Sequence, residues 1–131
     1  MNGLLDTHTF LWFIDGNSKL SQTARATIED DANRSYISIA TFWEIAIKVS
    51  LGKLTLQQPF DPFIAQQVRR NGFLVLGLRP EHTATVATLP FPRTDHRDPF
   101  DRLLIAQSIV EHMPIVSGDA KFDAYPITRV W

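Results

Sequence analysis

The stretch Gly3-Leu4-Leu5-Asp6-Thr7-His8-Thr9-Phe10-Leu11-Trp12-Phe13-Ile14 sets a short apolar run, one acid and a segment of helical spacing side by side. Gly3 to Leu5 reads as a strand, Thr7 to Ile14 reads as a helix, and Asp6 stands at their junction. The same order returns along the chain. Apolar runs at Tyr36-Ile37-Ser38-Ile39, Phe73-Leu74-Val75-Leu76 and Pro114-Ile115-Val116 predict further strands, with Ile127-Thr128-Arg129-Val130 as a fifth. Between them the spacing predicts helices over Ser21–Asp31, Thr41–Leu51, Pro62–Asn71, Glu81–Thr88 and Pro99–His112. Gly52 and Gly72 sit where helix C-caps belong. Strand and helix in alternation predict an α/β fold with a central, mainly parallel sheet and helices on both faces. The proline-rich segment Leu89-Pro90-Phe91-Pro92-Arg93-Thr94 is the one obvious loop.

Composition bounds the possibilities. A chain of 131 residues with 44% hydrophobic content is expected to form one domain, residues 1–131, with a substantial core. It has no cysteine, which excludes disulfides and thiolate zinc sites and suits a reducing cytoplasm. Any metal must therefore be held by oxygen or imidazole. No basic leader with an apolar core opens the chain, and no run approaches the ~20 apolar residues of a membrane span, so a soluble, cytoplasmic protein is expected. The formal net charge of -1 gives no overall basic field for nucleic acid. A polyanion bound here has to be held by local arginines or by a metal.

The acids fall into a pattern on this map. Asp6 follows the first strand and Asp119 follows Pro114 to Gly118, so both lie at strand carboxyl ends, where open α/β sheets bind ligands. Glu44 lies one turn into the helix after Tyr36 to Ile39, and Asp101 one turn into the helix that begins at Pro99. Four carboxylates from four separate segments are thereby expected at one edge. Each also has a purely local account: Asp6 and Asp119 as caps or turn residues, Thr41-x-x-Glu44 as a capping box, Asp101 as an acid favoured by the helix dipole. Asp98 ahead of Pro99 reads as an N-cap with proline at the first helical position. Apolar neighbours surround Glu44 in Phe42-Trp43-Glu44-Ile45-Ala46, and a partly buried charge needs a partner.

The segments Leu4-Leu5-Asp6-Thr7-His8, Ile39-Ala40-Thr41-Phe42-Trp43-Glu44-Ile45, Asp98-Pro99-Phe100-Asp101-Arg102-Leu103-Leu104-Ile105-Ala106 and Val116-Ser117-Gly118-Asp119 together resemble the ordered motifs of PIN domains, specifically the VapC-type toxins of bacterial toxin-antitoxin systems. The resemblance spans essentially the whole chain. It implies an α/β/α sandwich, RNA cleavage dependent on Mg²⁺ or Mn²⁺, homodimerisation, and inhibition by a cognate antitoxin. Carried over residue by residue, it implies that Asp6, Glu44, Asp101 and Asp119 form the acidic quartet. Ser117 matches a small hydroxyl residue that supports the last acid. The Asp-x-x-x-Ile-Ala spacing selects Asp101 and leaves Asp98 a supporting role. Phe10 to Ile14 is apolar around a whole helical turn, more than a core can use. Early helices form much of the antitoxin groove in the resembled family, so Leu11, Trp12 and Phe13 are expected on a partner surface.

The chemistry of such a cluster agrees. Two carboxylates ~4 Å apart repel by about 4 kcal/mol at an effective dielectric of ~20, so four together need a cation or a proton among them. All-oxygen ligation selects Mg²⁺ or Mn²⁺. Such an ion polarises a phosphoryl oxygen, activates water and stabilises a leaving alkoxide, as phosphodiester hydrolysis requires. Arg93, Arg97 and Arg102 are candidate phosphate clamps. His8 and His96 lie near the expected site, but no histidine pair has the i, i+4 spacing of a zinc site, and neither is assigned to it. Two other readings stay open. A phosphotransfer or phosphohydrolase domain is one, although Asp6-Thr7-His8 lacks a second aspartate two residues on; a non-enzymatic RNA- or protein-binding module is the other.

Overall fold

The computed structural model describes residues 1–131. The elements run β1 (Asn2–Leu5), α1 (Thr7–Asp15), α2 (Gln22–Glu29), β2 (Arg34–Ser38), α3 (Ile39–Ser50), α4 (Phe60–Asn71), β3 (Leu74–Leu76), α5 (Pro80–Thr88), α6 (Pro99–Glu111), β4 (Ile115–Val116) and β5 (Arg129–Val130). A 3₁₀ turn, Ala120–Ala124, joins the last two strands. All strand pairs are parallel, and the sheet order is β3-β2-β1-β4-β5.

Period-two alternation divides the core between the two faces of the sheet. Leu4 and Ile115 pack with Leu104, Ile105, Phe122 and Tyr125 on one face. Their neighbours Leu5, Ile37 and Val116 pack with Phe10, Ile45 and Phe73 on the other. Each fully buried leucine or isoleucine contributes roughly 1.5–3 kcal/mol, and a one-residue slip in register would exchange the two sets. The result is the α/β sandwich that the alternating pattern predicts.

Element ends have local causes. The helix expected from Thr41 begins two residues earlier, at Ile39, because Ser38 closes β2 and its Oγ accepts the Ala40 N–H at 3.0 Å. Ile39 therefore belongs to the helix rather than to the strand. Gly72 caps α4 in the left-handed region at φ 66°, whereas α6 ends on His112, a non-glycine residue at φ 55°. Residues 89–94 carry neither helix nor strand, as their prolines dictate.

β1 is central. The chain adds β2 and β3 on one side of it, then returns to add β4 and β5 on the other. The strand order thus reverses between β1 and β4, and the crevice outside their carboxyl ends is the place where such sheets bind ligands.

Candidate metal centre

Asp6 leaves β1 and caps α1. Its Oδ1 accepts the Thr9 N–H at 2.8 Å, and its Oδ2 accepts the Ser117 hydroxyl at 2.5 Å. Ser117 follows β4 and is fully buried. Its Oγ also accepts the Asp119 N–H at 3.0 Å, so one hydroxyl ties both strand ends together across the reversal. Asp119 uses Oδ1 to accept the Lys121 N–H at 3.0 Å, capping the 3₁₀ turn.

The pair at the start of α6 divides its work. Asp98 is the N-cap, and its Oδ1 accepts the Asp101 N–H at 3.0 Å. The Asp101 carboxylate takes no backbone donor. Its Oδ2 lies 3.0 Å from His96 Nε2. Burial pushes the Asp101 carboxyl up to about 6; the His96 hydrogen bond opposes that rise, and the charges of Asp98 and Asp6 add to it. One ligand atom from each of His96, Asp101 and Asp119 lies within 4.8 Å of the others.

Glu44 is not among these three, and both its oxygens are engaged. Oε1 accepts the Thr7 hydroxyl at 2.7 Å, and Oε2 pairs with Lys48 Nζ at 2.8 Å. No capping box exists here, because Ser38 is the cap of α3 and Thr41 lies inside the helix. Thr7, next to Asp6 in the chain, thereby couples Glu44 to the strand end that carries Asp6. A hydroxyl between two acids gave no periodic signal in the sequence.

The expectation for Arg102 has to be corrected. Its side chain is buried: Nη2 donates to the Leu89 carbonyl at 2.6 Å, and Nη1 donates to the Pro90 carbonyl at 3.0 Å and to Tyr125 Oη at 3.4 Å. The guanidinium also lies 3.6 Å over the Phe91 ring. Arg102 is an internal brace of the 89–98 loop, and its burial keeps it from a phosphate. Arg93 and Arg97 are exposed on that loop. Arg93 makes two 2.8 Å bonds to Asp95, whose carboxyl it holds down at about 2, and Arg97 lies 5.2 Å over Phe91.

His96 is a second correction: spacing assigns it no place in the site, yet its ring meets the Asp101 carboxylate. Only 3% of it is exposed, its Nδ1 has no partner, and its ring packs edge-on against Phe122 and Tyr125. Tyr125 Oη donates to the His96 carbonyl at 3.4 Å. His96 is thus the hydrogen-bond partner of Asp101, and the donors for a cation are carboxylate oxygens. Carboxylate oxygens of Asp101 and Asp119 converge beside this imidazole, and such hard donors suit Mg²⁺ or Mn²⁺. The acidic cluster of this chain can accordingly hold a divalent metal.

Leu11, Trp12 and Phe13 do not share a face, because successive helical residues turn through about 100°. Leu11 lines a groove with Ile14, Leu54, Leu56 and Phe63, Trp12 faces the acids, and Phe13 packs on Phe73.

The sequence model of the PIN domain matches residues 3–127, and the chain belongs to that family. Ribonuclease VapC16 of Mycobacterium tuberculosis is 36% identical over 73 residues, which cover 56% of this chain and 52% of that protein. The chain thus spans about half the length of this curated relative. Among solved structures, VapBC2 from Rickettsia felis, bound to a DNA fragment from their promoter, matches 98% of this chain and 97% of the compared chain with TM-score 0.71 at 16% identity. VapBC-1 from nontypeable Haemophilus influenzae matches 98% and 96% with TM-score 0.68 at 15% identity. These structural likenesses show a common fold.

Proposed function

We propose that this chain, residues 1–131 taken as one PIN-type domain, is a divalent-metal-dependent endoribonuclease acting as the toxin of a toxin-antitoxin pair. The observation that carries the reading is the convergence of Asp6, Asp101, Asp119 and His96 at the strand-order reversal of a PIN domain. The name of the 36%-identical relative, a ribonuclease, supports it.

In this reading Asp6, Asp101 and Asp119 hold Mg²⁺ or Mn²⁺, with Glu44 as the fourth acid. When bound, the ion supplies activation of water and stabilisation of charge on the phosphoryl and leaving oxygens. The chain's own groups prepare the place. Ser117 and the Thr9 N–H fix Asp6; Asp98 anchors the helix end that presents Asp101. His96 Nε2 holds a proton against Asp101 Oδ2, which orients that carboxylate and leaves Oδ1 for the ion. Arg93 and Arg97, exposed on the neighbouring loop, receive the RNA phosphates. The apolar groove between α1 and α4, with Leu11 on its wall, receives the antitoxin. A second copy packs on the patch of Trp43, Val86, Phe100 and Leu103, where Trp43 is 57% exposed. No helix is long and apolar enough to cross a membrane, and the cytoplasm is the proposed place of action.

The test is cleavage of single-stranded RNA by purified protein with Mg²⁺, with Mn²⁺ and in EDTA, beside Asp101→Asn and Asp119→Asn. Metal-dependent cleavage that both substitutions abolish is expected. Cleavage that persists in EDTA and in both variants, or no cleavage with either metal, overturns the reading.

A further inference from the structure

A cavity of about 340 Å³ continues from Asp6 and Asp119 to two tryptophans, Trp12 on α1 and Trp131 just beyond β5, with His8 and Lys19 beside them. The indole centroids are 6.0 Å apart and the rings are inclined at 55°. The His8 ring lies 5.6 Å from Trp12, and Lys19 Nζ stands 5.9 Å over the same indole. His8 and Lys19 are exposed and the tryptophans half-buried, so the walls are open to a ligand.

The seat of Trp131 is built by Gly118. A Cβ at that position would fall 2.9 Å from Trp131 Cε2 and Cζ2, too close for any side chain without displacing the indole. Gly118 does not have a positive φ, so its missing side chain serves this close approach and not a turn. The chain thereby lays an aromatic face directly against the backbone that precedes Asp119.

Both indoles pack against the core of Leu5, Phe10 and Val116, yet remain half-exposed beside Lys19 and His8. Aromatic faces suit the π-face of a nucleobase, cations suit a phosphate, and both stand on the same cavity as two acids of the metal centre. We propose that the cavity is a nucleotide subsite: the base of the nucleotide flanking the scissile phosphate stacks on Trp12 and meets the edge of Trp131, while Lys19 and His8 hold its distal phosphate. The proposal rests on the ribonuclease reading and narrows it to single-stranded or looped RNA, since a base within a duplex does not offer its face to such walls.

The experiment has two arms. In the first, the indole N–H resonances of the ¹⁵N-labelled protein in EDTA are followed during titration with adenosine 5′-monophosphate and, separately, with inorganic phosphate. The Trp12 and Trp131 signals move with the nucleotide and the Trp43 signal does not; inorganic phosphate, which brings no base to stack, moves Trp12 and Trp131 less at the same concentration. In the second arm, Trp12→Leu and Lys19→Ala raise KM for single-stranded RNA by about 5- to 100-fold with kcat within about threefold, and Trp12→Phe restores KM. Lys19 is exposed, so its variant reads the subsite even if Trp12→Leu unfolds. Indole signals that stay still, together with unchanged KM in Lys19→Ala and Trp12→Leu, overturn the subsite and leave the cavity to a protein partner. Nucleotide-dependent shifts in a protein that cleaves no RNA overturn the ribonuclease reading alone.

Discussion

Replacing Asp101 by asparagine tests whether its buried charge awaits a cation or is paired for stability. The Asp101 carboxyl holds its proton up to about 6, against 3.8 for a free side chain, chiefly through burial. At 1.36 kcal/mol per tenfold change in proton affinity, keeping it ionised at neutral pH costs the folded protein about 3 kcal/mol. The side chain is 28% exposed, so roughly 2–3 kcal/mol is expected. The sign follows from proton counting. Between pH 4 and 6 the folded state binds more protons than the unfolded one, so this group's contribution to stability falls as pH rises through that window. Asparagine carries no charge and still has an atom to bond with His96. In EDTA the two proteins should therefore melt alike near pH 4, while at pH 7 the variant should be the more stable by about 2–3 kcal/mol, roughly 6–15 °C in Tm for a chain of this length. Saturating Mg²⁺ or Mn²⁺ should raise the Tm of the parent and leave that of the variant nearly unmoved. Urea titrations and melting curves at the two pH values, with metal and with EDTA, measure all of this. A variant less stable than the parent at pH 7 in EDTA would refute a net cost of burying this charge, because the His96–Asp101 pair would then be a net structural gain.

Asp98→Ala should cost about 0.5–2 kcal/mol in urea unfolding, and Asp98→Asn only a few tenths, since asparagine also caps; an inactive Asp98→Asn beside an active Asp101→Asn would show the two roles reversed. Glu44→Gln keeps an acceptor for Thr7 and loses the Lys48 ion pair, so stability should change by less than about 0.5 kcal/mol while RNA cleavage falls at least about tenfold; full cleavage would remove Glu44 from the site. Arg102→Met should destabilise by about 1–3 kcal/mol, because the buried Leu89 carbonyl loses its donor, and wild-type stability in this variant would contradict the bracing role. If the proposed second copy packs on Trp43, the parent should scatter light as a dimer and Trp43→Lys as a monomer; a monomeric parent would refute the second copy, and a dimeric variant would refute its placement on Trp43.

The strands and helices were legible because their apolar periods are local, and a run such as Leu4-Leu5 ahead of Asp6 needs no distant partner to be read. The sheet alternation that sends Leu4 and Leu5 to opposite faces follows from the same period. Asp6 and Asp119 were legible as neighbours because parallel strands put their carboxyl ends on one edge. The start of α3 was misplaced by two residues because Ser38 and Thr41 are both good caps, and only the strand's end decides between them. His96 was illegible from spacing: it stands on an irregular loop, where no helical or strand period fixes its direction. Its bond to Asp101 is made by the fold of residues 89–98, which propensity does not describe.

Arg102 did carry a signal. It lies at the fourth residue of α6, near the helix N-terminus, where the dipole favours acids and disfavours cations. An arginine in that turn needs a compensating set of acceptors, and the carbonyls of Leu89 and Pro90 with the ring of Phe91 are that set. The consequence reaches the acidic cluster. Arg102 grips the loop at residues 89–91, Tyr125 holds the same loop at the His96 carbonyl, and the loop returns His96 Nε2 to Asp101 Oδ2 on the residue just before Arg102. One helical turn thus presents the acid and also anchors the segment that brings the imidazole back to it. The arginine that looked like a phosphate ligand acts one step behind the site, by fixing where His96 can stand.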